Sequence, residues 1–310
     1  MNLFEYTYQL VRQIPLGKIS TYGAVADALG DRVAARAVGR MMNQNPNADD
    51  MPCYKIVHSD GRLGGFELGI DDKIRRLKKD SIHVKKGKIV DFERVFFNDF
   101  NTEYPLKELR REQRQLSKKI SLQDKNALFT TVAGVDVAYP DNEFEAACGA
   151  CVVLDYDTMQ VLEEEILFSQ TDFPFISTYF SYRELPIVQQ LIKMLRRKPS
   201  LVLLDGNGIL HPAYCGLASH AGVLLDIPTV GVAKTLLYGK VRDSQIMIDS
   251  EQRGYAYSIK KGRKPVYVSP GHRVSLSTSV EIVRHLCVTK IPEPLRRAHH
   301  LAQGQLQKRR

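Results

Sequence analysis

Hydrophobic positions in the first part of the chain recur mostly with the spacing of helices. Ser20 and Thr21 precede an amphipathic run over 24–29 that ends at Gly30, and residues 34–42 form a second run of the same kind. Two short helices joined by a tight turn predict a helix-turn-helix.

Beyond Cys53 the pattern changes for a short distance. The stretch YKIVHSDGRLGGF predicts a hairpin that turns at Asp60-Gly61, and residues 71–79 predict a charged surface helix. The first part is therefore predicted to be mainly helical, with a small strand pair near its middle.

The periodic pattern breaks at FFNDFNTEYPLKEL and is followed by a long charged helix from 107 to about 120. TTVAGVDVAYP, FEAACGACVVLD and TMQVLEEEILF then predict an antiparallel meander of three strands. A helix over 185–197, the apolar strand SLVLLDGNG, a helix rich in Gly and Ala, the segment IPTVGVAK and a last helix over 277–287 follow. This order is typical of a mixed sheet flanked by helices.

Length supports a division at the break. The chain has 310 residues, more than one hydrophobic core usually organises. We predict an α/β protein overall, with a mainly helical domain over 1–98, a linker over 99–103 and a mixed-sheet domain over 104–310.

Charge narrows the class of partner. Lys and Arg number 44 against 35 Asp and Glu, a net charge of +9, which favours a polyanion such as nucleic acid. A basic surface without any such partner is the plainer alternative.

The number of cysteines and the hydropathy of the chain indicate the cellular compartment in which the protein is expected. Five cysteines without a secretory leader argue against a disulfide framework and for a reducing compartment. No apolar stretch approaches the roughly 18 residues of a membrane helix, so we expect a soluble, cytoplasmic protein with no membrane partner. Cys148 and Cys151 form a CxxC, but residues three apart on a strand point to opposite faces, so we interpret them as core side chains.

Three carboxylates carry the candidate chemistry of the second part. Asp136 is the only charge in an otherwise apolar strand, Asp205 follows the apolar strand LVLL, and Glu184 heads the apolar stripe of a helix. A carboxylate in such surroundings needs a cation, hydrogen bonds or a raised pKa. Hard oxygen ligands without nearby Cys or His favour Mg²⁺, or Mn²⁺, over zinc, and on a basic protein they suggest phosphodiester hydrolysis.

The second part resembles the endonuclease V family across almost all of 103–310. The matching motifs are GVDVAY, PFISTYFSYREL, LVLLDGNGILHP, GVAKTLL and SPGHRVS with IPEPLRRAHH, in order and with the spacing of the family. The resemblance implies an RNase H-like fold. It also implies incision at the second phosphodiester on the 3′ side of deaminated bases, chiefly hypoxanthine, leaving a 3′ hydroxyl.

Site residues follow from this resemblance by position. It implies that Asp136, Glu184 and Asp205 bind the metal and that His299 supports the metal site. His211 and Lys234 match positions near the scissile phosphate. The strand-separating wedge of the family corresponds to Pro174, Phe175, Ile176 and Ser177, with Phe175 where the family usually has Tyr.

Residues 8–94 resemble the active-site domain of the O6-alkylguanine-DNA alkyltransferases and the alkyltransferase-like proteins. The matching stretches are IPLGKISTYGAVA, AARAVGRMMNQNP, PCYKIV, SDGRLGGF and KKGKIVDFERVF. The resemblance implies a winged-helix-like domain that flips an alkylated guanine and moves the alkyl group irreversibly to a cysteine.

Carried over by position, Cys53 is the alkyl acceptor of this domain. Arg36 is the finger that fills the gap left by the flipped base, and Tyr22 assists rotation of the nucleotide. Asn45 braces the turn, and Phe66 lies where an aromatic pocket wall is expected.

The motif around the cysteine departs from the family. The usual Pro-Cys-His-Arg has Tyr54 and Lys55 in its last two places, and the Glu that ends the proton relay corresponds to Asp80. A phenol is a poor base for a thiol, so we expect slower alkyl transfer rather than none. His58 lies on the strand face opposite Cys53, which argues against it as a substitute base.

The sequence leads to one hypothesis with three alternatives. We expect a monomeric two-domain DNA repair enzyme that acts on double-stranded DNA containing alkylated or deaminated bases and uses Mg²⁺, for which Mn²⁺ can substitute. The first domain is alternatively a non-catalytic sensor of alkylguanine, and the second a nuclease that prefers inosine in RNA. A non-catalytic nucleic-acid scaffold is the third alternative.

Overall fold

The chain divides into two units in a computed structural model. The first unit comprises Met1–Leu109 with Asp172–Ile176, and the second comprises Arg110–Thr171 with Ser177–Arg310. The structure describes residues 1–310 except 46, 48, 50, 125–127, 143, 144, 261 and 310. Within those described ranges, no helix is both long and apolar enough to cross a membrane.

The first unit is mainly helical, as predicted. Its helices are α1 (Leu3–Arg12), α2 (Tyr22–Leu29), α3 (Ala35–Asn43), α4 (Ile70–Lys79) and α5 (Phe92–Val95), and α6 (Pro105–Ser117) begins in it. Its strands form two short pairs, β1 (Ser20–Thr21) with β2 (Ile56–Val57) and β3 (Val84–Lys85) with β4 (Lys88–Ile89).

Local capping explains the helix-turn-helix that the sequence predicts. The Thr21 hydroxyl accepts the Ala24 N–H at 3.0 Å and so caps the start of α2, which begins two residues earlier than predicted. Gly30 ends α2 with a φ of 106°, a conformation that glycine tolerates best. A 3-10 turn then leads into α3.

The hairpin predicted after Cys53 is wrong. Only Ile56–Val57 is extended there, and this short strand pairs in parallel with Ser20–Thr21 rather than with the segment after Asp60-Gly61. The turn itself exists, because the Gly61 N–H donates to the His58 carbonyl at 2.9 Å. The local sequence identified the turn correctly, but the strand Ile56–Val57 pairs with a segment distant in sequence.

The second unit contains a mixed sheet. Among the described residues its strands are β5 (Thr131–Ala138), β6 (Ala147–Asp155), β7 (Val161–Ser169), β8 (Leu201–Leu204), β9 (Thr229–Ala233), β10 (Lys240–Arg242), β11 (Gln245–Ile248), β12 (Glu251–Tyr257) and β13 (Val266–His272). They lie in the order β10-β11-β12-β13-β9-β8-β5-β6-β7. The meander β5-β6-β7 is antiparallel as predicted, whereas β5, β8 and β9 are parallel.

Helices cover both faces of this sheet. They are α7 (Phe180–Met194), α8 (Leu217–Leu225), α9 (Leu276–Leu286) and α10 (Glu293–Lys308). One core joins the sheet to α7 and α8, and the others join it to α9 and α10. Cys151 belongs to the first of these cores and Cys148 to the opposite side, so the interpretation of the CxxC as core side chains is confirmed.

Two helix predictions need correction. The helix predicted over 185–197 begins earlier, at Phe180, so that Glu184 lies inside α7 instead of before its apolar stripe. The helix over 277–287 is not the last one, since α10 follows it and carries His299. Pro292 and Pro294 obscured the start of α10, although proline is compatible with the first turn of a helix.

Candidate active sites

Asp136 lies in β5, which pairs with β8 on one side and β6 on the other. The residue is 8 % exposed, and its carboxylate Oδ2 lies 2.6 Å from His299 Nδ1 of α10. Gly134 makes this approach possible, because a Cβ at that position would collide with the carbonyl group of Pro294. The glycine therefore lets α10 lie against β5, and His299 reaches Asp136 from the following turns.

Glu184 and Asp205 approach Asp136 from other elements. Glu184 is buried on α7, and Asp205 directly follows β8, which pairs in parallel with β5. Burial raises the pKa of Glu184 well above its usual range, and the negative charges of Asp136 and Asp205 raise it further. Burial and the Asp136 charge likewise raise the pKa of Asp205. The three carboxylates predicted from the sequence thus act on one another electrostatically.

Lys234 supplies positive charge to this cluster. It follows β9, and its Nζ lies 2.5 Å from Asp205 Oδ2. Burial alone would lower the pKa of Lys234, but the Asp205 carboxylate outweighs it and raises the pKa above the ordinary value. Lys234 is therefore charged at neutral pH.

The chemistry of the cluster fits a hard divalent cation. No group of three or more His, Cys, Asp or Glu side chains in the described part of the chain is already arranged to hold a metal ion. In this arrangement His299 and Lys234 each contact one carboxylate oxygen of the cluster. The oxygens of Asp136 and Glu184, which are buried, and of Asp205, which is partly exposed, are nevertheless the donors that Mg²⁺ and Mn²⁺ prefer.

His211 is a buried side chain with both ring nitrogens engaged. Its Nδ1 accepts the Ala213 N–H at 3.1 Å, which leaves Nε2 to donate to the Thr178 carbonyl at 3.0 Å. Burial and the charge of Arg110 lower its pKa to about 4. His211 is thus neutral at physiological pH and holds Thr178, next to the predicted wedge residue Ser177.

Arg183, which is buried, and Tyr139, which is partly buried, are neighbours of the carboxylates that the sequence analysis did not single out. The guanidinium of Arg183 lies over the Tyr139 ring, 4.2 Å from its centroid, and its charge opposes the rise in the pKa of Glu184. Adjacency to Glu184 in SYREL is a sequence signal, but no local pattern predicts that an arginine there is buried.

Most of the predicted wedge belongs to the first unit. Pro174 and Ile176 are buried, whereas Phe175 between them is 45 % exposed. The Leu3 N–H donates to the Asp172 carbonyl at 2.8 Å, just ahead of this segment. Phe175 is therefore the exposed residue between two buried ones in this segment.

Cys53 lies in the first unit, in a 3-10 turn over Pro52–Lys55, and is buried. Asn45 Nδ2 donates to Cys53 Sγ at 3.3 Å, and Asn45 Oδ1 accepts the Asn47 N–H at 3.0 Å. Burial raises the pKa of the thiol to about 11 despite the Asn45 hydrogen bond and the nearby charge of Lys73, which lower it.

The residues that replace the family relay form a closed cluster. The Tyr54 hydroxyl donates to Asp80 Oδ2 at 2.9 Å, and Lys55 Nζ lies 3.2 Å from the same oxygen. Lys55 also donates to the Ile14 and Pro15 carbonyls. Burial and Asp80 raise the pKa of Tyr54 to about 12, so its phenol is not a base at neutral pH.

The other residues predicted for alkylguanine binding differ in exposure. Arg36 is exposed on α3, whereas Phe66 is buried with its ring edge-on to Tyr54. Tyr22 opens α2 and packs edge-on against His58, with ring centroids 5.2 Å apart. Burial and the charge of Cys53 raise the pKa of Tyr22 to about 12, so this residue lies close enough to the cysteine to interact with it.

Lys73 is a further buried residue of this site that the sequence analysis missed. It lies on α4 with its side chain fully buried, and its charge interacts with that of Cys53. The run IDDKIRRLKK contains lysines at three positions, and no local signal separates the buried one from those at the surface.

Comparisons with known protein families give one match for each part of the chain. A family model described as endonuclease V matches residues 114–300, and one described as the 6-O-methylguanine DNA methyltransferase DNA binding domain matches residues 2–82. Two relatives match over both parts, and each is named a bifunctional methyltransferase/endonuclease. The relative from Picrophilus torridus is 38 % identical over 299 residues, which cover 96 % of this chain and 95 % of the relative. That from Thermoplasma volcanium is 36 % identical over 302 residues, covering 97 % and 89 %.

Solved structures match the second part. The catalytic domain of human endonuclease V is 31 % identical with a TM-score of 0.62, covering 67 % of this chain and 98 % of that domain. Endonuclease V of Ciona intestinalis, in complex with a 24mer DNA containing an inosine followed by a ribo-adenosine, has the same identity and TM-score. That match covers 66 % of this chain and 99 % of the Ciona protein.

Proposed function

This chain belongs to the endonuclease V family and, over nearly its whole length, to that of the bifunctional methyltransferase/endonucleases; we propose that it repairs DNA by two reactions. One reaction transfers an alkyl group from O6-alkylguanine irreversibly to Cys53. The other incises a strand at the second phosphodiester 3′ to a deaminated base such as hypoxanthine. The observation that carries the proposal is the convergence of Asp136, Glu184 and Asp205 in a chain that also places a buried cysteine in a second unit.

Each residue of the carboxylate cluster has its own part in the incision. Asp136, Glu184 and Asp205 would hold Mg²⁺, for which Mn²⁺ can substitute, and His299 orients Asp136 through their 2.6 Å contact. An ion held there would supply an activated water and stabilise charge on the leaving oxygen. Lys234 keeps a positive charge beside Asp205 and is placed to attract the phosphate.

The wedge gives the incision its access to the damaged base. Pro174 and Ile176 anchor the segment by burial, and the exposed ring of Phe175 stacks where a base has left the helix. The Ciona endonuclease V bound to inosine-containing DNA supports DNA with deaminated bases as the substrate. Stacking does not require a hydroxyl, so Phe serves as well as Tyr at this position.

The incision is tested on matched duplex DNA and RNA that carry a single inosine, with and without Mg²⁺. We expect metal-dependent cutting of the DNA, and loss of at least about 100-fold in rate for Asp136→Asn and Asp205→Asn, since each removes a metal ligand. Glu163→Gln, in β7 of the same unit, is the matched control. Cutting of the RNA alone would favour the RNA-directed alternative, and variants as active as wild type would contradict the metal assignment.

The alkyl transfer is supported by the surroundings of Cys53 and by its match to the methyltransferase family model. Asn45 holds the sulfur, Phe66 closes one side near Tyr54, and Arg36 is exposed on the helix that would enter the minor groove. Intact-mass measurement after incubation with duplex DNA bearing O6-methylguanine tests the reaction. We expect wild type to gain one methyl group and Cys53→Ala to gain none.

One observation favours a second candidate for the first unit. Burial raises the pKa of Cys53 to about 11. The Tyr54 hydroxyl donates a hydrogen bond to Asp80, so it does not accept the proton of the thiol. A sensor that flips alkylguanine without accepting the alkyl group needs no activated thiol. Tight binding of the modified duplex with no gain in protein mass is the result that would select the sensor.

A further inference from the structure

Three side chains converge on Thr178, the residue that directly follows the predicted wedge. Arg110 Nη2 donates to the Thr178 hydroxyl at 2.8 Å, and Gln113 Nε2 donates to the Thr178 carbonyl at 3.1 Å. The same carbonyl accepts from His211 Nε2, as described above. Arg110 and Gln113 lie on α6 and do not belong to the site residues predicted from the sequence. Thr178 is thus held both by its side chain and by its backbone.

The two side chains of α6 also orient each other. Arg110 Nη1 donates to Gln113 Oε1 at 2.8 Å. Gln113 is fully buried, and its amide nitrogen donates to the Cys215 carbonyl at 3.4 Å as well as to Thr178. The Arg110 guanidinium lies over the Tyr179 ring, 4.2 Å from its centroid. Because the buried amide of Gln113 has both N–H donors and its oxygen engaged, its orientation is fixed.

We propose that Arg110 and Gln113 are positioning residues that hold the wedge in place at Thr178 while it separates the strands. This inference rests on the incision proposed above. Ser177, the last wedge residue, belongs to the second unit and directly precedes Thr178, so the contacts to Thr178 fix the point from which the wedge extends. Taking a base out of a duplex costs unstacking and unpairing energy, so a wedge that does this must resist displacement.

The alternative role of these contacts is to support the carboxylate cluster, because α7 begins just after Thr178 and carries Glu184. Thr178 shares the 3-10 turn Ser177–Tyr179 with the end of the wedge, whereas Glu184 lies on the second turn of α7, so the wedge is the nearer feature. The two roles affect different substrates. A metal site is needed for every cut, whereas strand separation is needed only where the base is paired, since a base in a single strand is already accessible.

The test compares incision of one inosine-containing oligonucleotide by the full chain in Mg²⁺, first as a single strand and then paired with its complement. Arg110→Gln removes the contact with the Thr178 hydroxyl, and Gln113→Leu removes the donor to the Thr178 carbonyl at similar side-chain volume. For both variants we expect the ratio of the duplex rate to the single-strand rate to fall at least about tenfold below that of wild type. Arg114→Gln, exposed on the same helix, removes the same charge and is the matched control, whose ratio should equal that of wild type.

A second measurement follows strand separation without incision. The duplex carries 2-aminopurine beside the inosine, whose fluorescence rises when its stacking is broken, and the protein is added in EDTA at concentrations that saturate binding. We expect wild type and Arg114→Gln to raise the fluorescence, and Arg110→Gln to raise it at least about threefold less, because its wedge is held less firmly.

The outcomes separate the two roles of the contacts and the proposed incision from each other. A folded variant with the rate ratio and fluorescence of wild type would overturn the inference, as would equal losses of rate on duplex and single strand. If Gln113→Leu does not fold, Arg110→Gln decides, because Arg110 is only half-buried. A wild-type protein that unstacks the duplex but cuts neither substrate would refute the proposed incision, and the fluorescence of Arg110→Gln would still decide whether the contacts position the wedge.

Discussion

At the scale of single residues, the chain replaces a proton relay with a hydrogen-bonded cluster. Tyr54, Lys55 and Asp80 occupy the places where the sequence departs from the alkyltransferase family, and the structure joins all three at one carboxylate oxygen. The phenol donates its proton to a group that already has a cation beside it. Tyr54 is accordingly a structural residue, and a phenol that donates to Asp80 is consistent with the slower transfer expected from the loss of the relay histidine.

This reading predicts a mild phenotype for Tyr54→Phe. The substitution removes one hydrogen bond to Asp80, worth about 0.5–1.5 kcal/mol, and leaves the pair with Lys55 intact. We expect the rate of methyl transfer to change less than about threefold, because the Tyr54 hydroxyl donates to Asp80 and its raised pKa keeps the phenol from acting as a base. Asp80→Asn is the contrast, since it leaves a buried lysine without its carboxylate and should cost about 3–5 kcal/mol in urea unfolding. A tenfold or larger loss of methyl transfer in a stable Tyr54→Phe protein would show that the phenol takes part in the proton relay.

The carboxylate cluster makes stability depend on pH and on metal. The pKa of Glu184 in the folded chain lies above its unfolded value, so the folded state binds more protons and the free energy of unfolding falls as pH rises from about 4.5. A divalent cation offsets this repulsion. We expect Mg²⁺ to raise the melting temperature of the second unit more at pH 8 than at pH 5, measured by calorimetry. Glu184→Gln should reduce both the pH slope and the metal effect, and a metal shift equal at both pH values would count against the site.

At the scale of elements, the close packing of α10 against β5 positions His299. Gly134 in β5 gives the Pro294 backbone room to approach, and the same approach sets His299 against Asp136. The packing of these two elements therefore decides whether the carboxylate is oriented.

Substitution of that glycine tests the packing. In Gly134→Ala the added methyl group displaces α10, so we expect a loss of about 1–3 kcal/mol in urea unfolding and at least a tenfold loss of Mg²⁺-dependent incision. Gly304→Ala within α10 is the matched control, because a Cβ there meets nothing within 4 Å. It should stabilise the helix by about 0.5–1 kcal/mol and leave incision unchanged. Equal effects of the two substitutions would show that the approach of α10 does not matter.

At the scale of the whole molecule, the two proposed reactions use separate sets of residues. Cys53 belongs to the first unit, and Asp136, Glu184 and Asp205 belong to the second. Their chemistry also differs, since the thiol is consumed once whereas a metal site turns over.

This separation predicts independent loss of the two activities. Cys53→Ala should abolish methyl gain and keep the wild-type rate of incision, whereas Asp136→Asn should do the reverse. Both variants are assayed on two duplexes, one that carries O6-methylguanine and one that carries inosine. Loss of both activities in either folded variant would show that the reactions are not independent.

Sequence patterns alone determined the features that depend on neighbours along the chain. Periodicity and turn residues identified the helix-turn-helix, the meander and the helix α4. Motif order identified both families, which the family matches confirm, and it named the three carboxylates that interact in the structure.

Only the tertiary structure decided the features that depend on residues far apart in sequence. The partner of β2, the α10 helix over β5, the contact of His299 with Asp136 and the burial of Lys73 all arise from packing between distant segments. A lysine in a charged helix shows no local sign that it faces the core, because the surroundings that change its proton affinity come from other elements. The sequence thus specified which groups are present, and the fold decided which of them meet and how strongly each holds its proton.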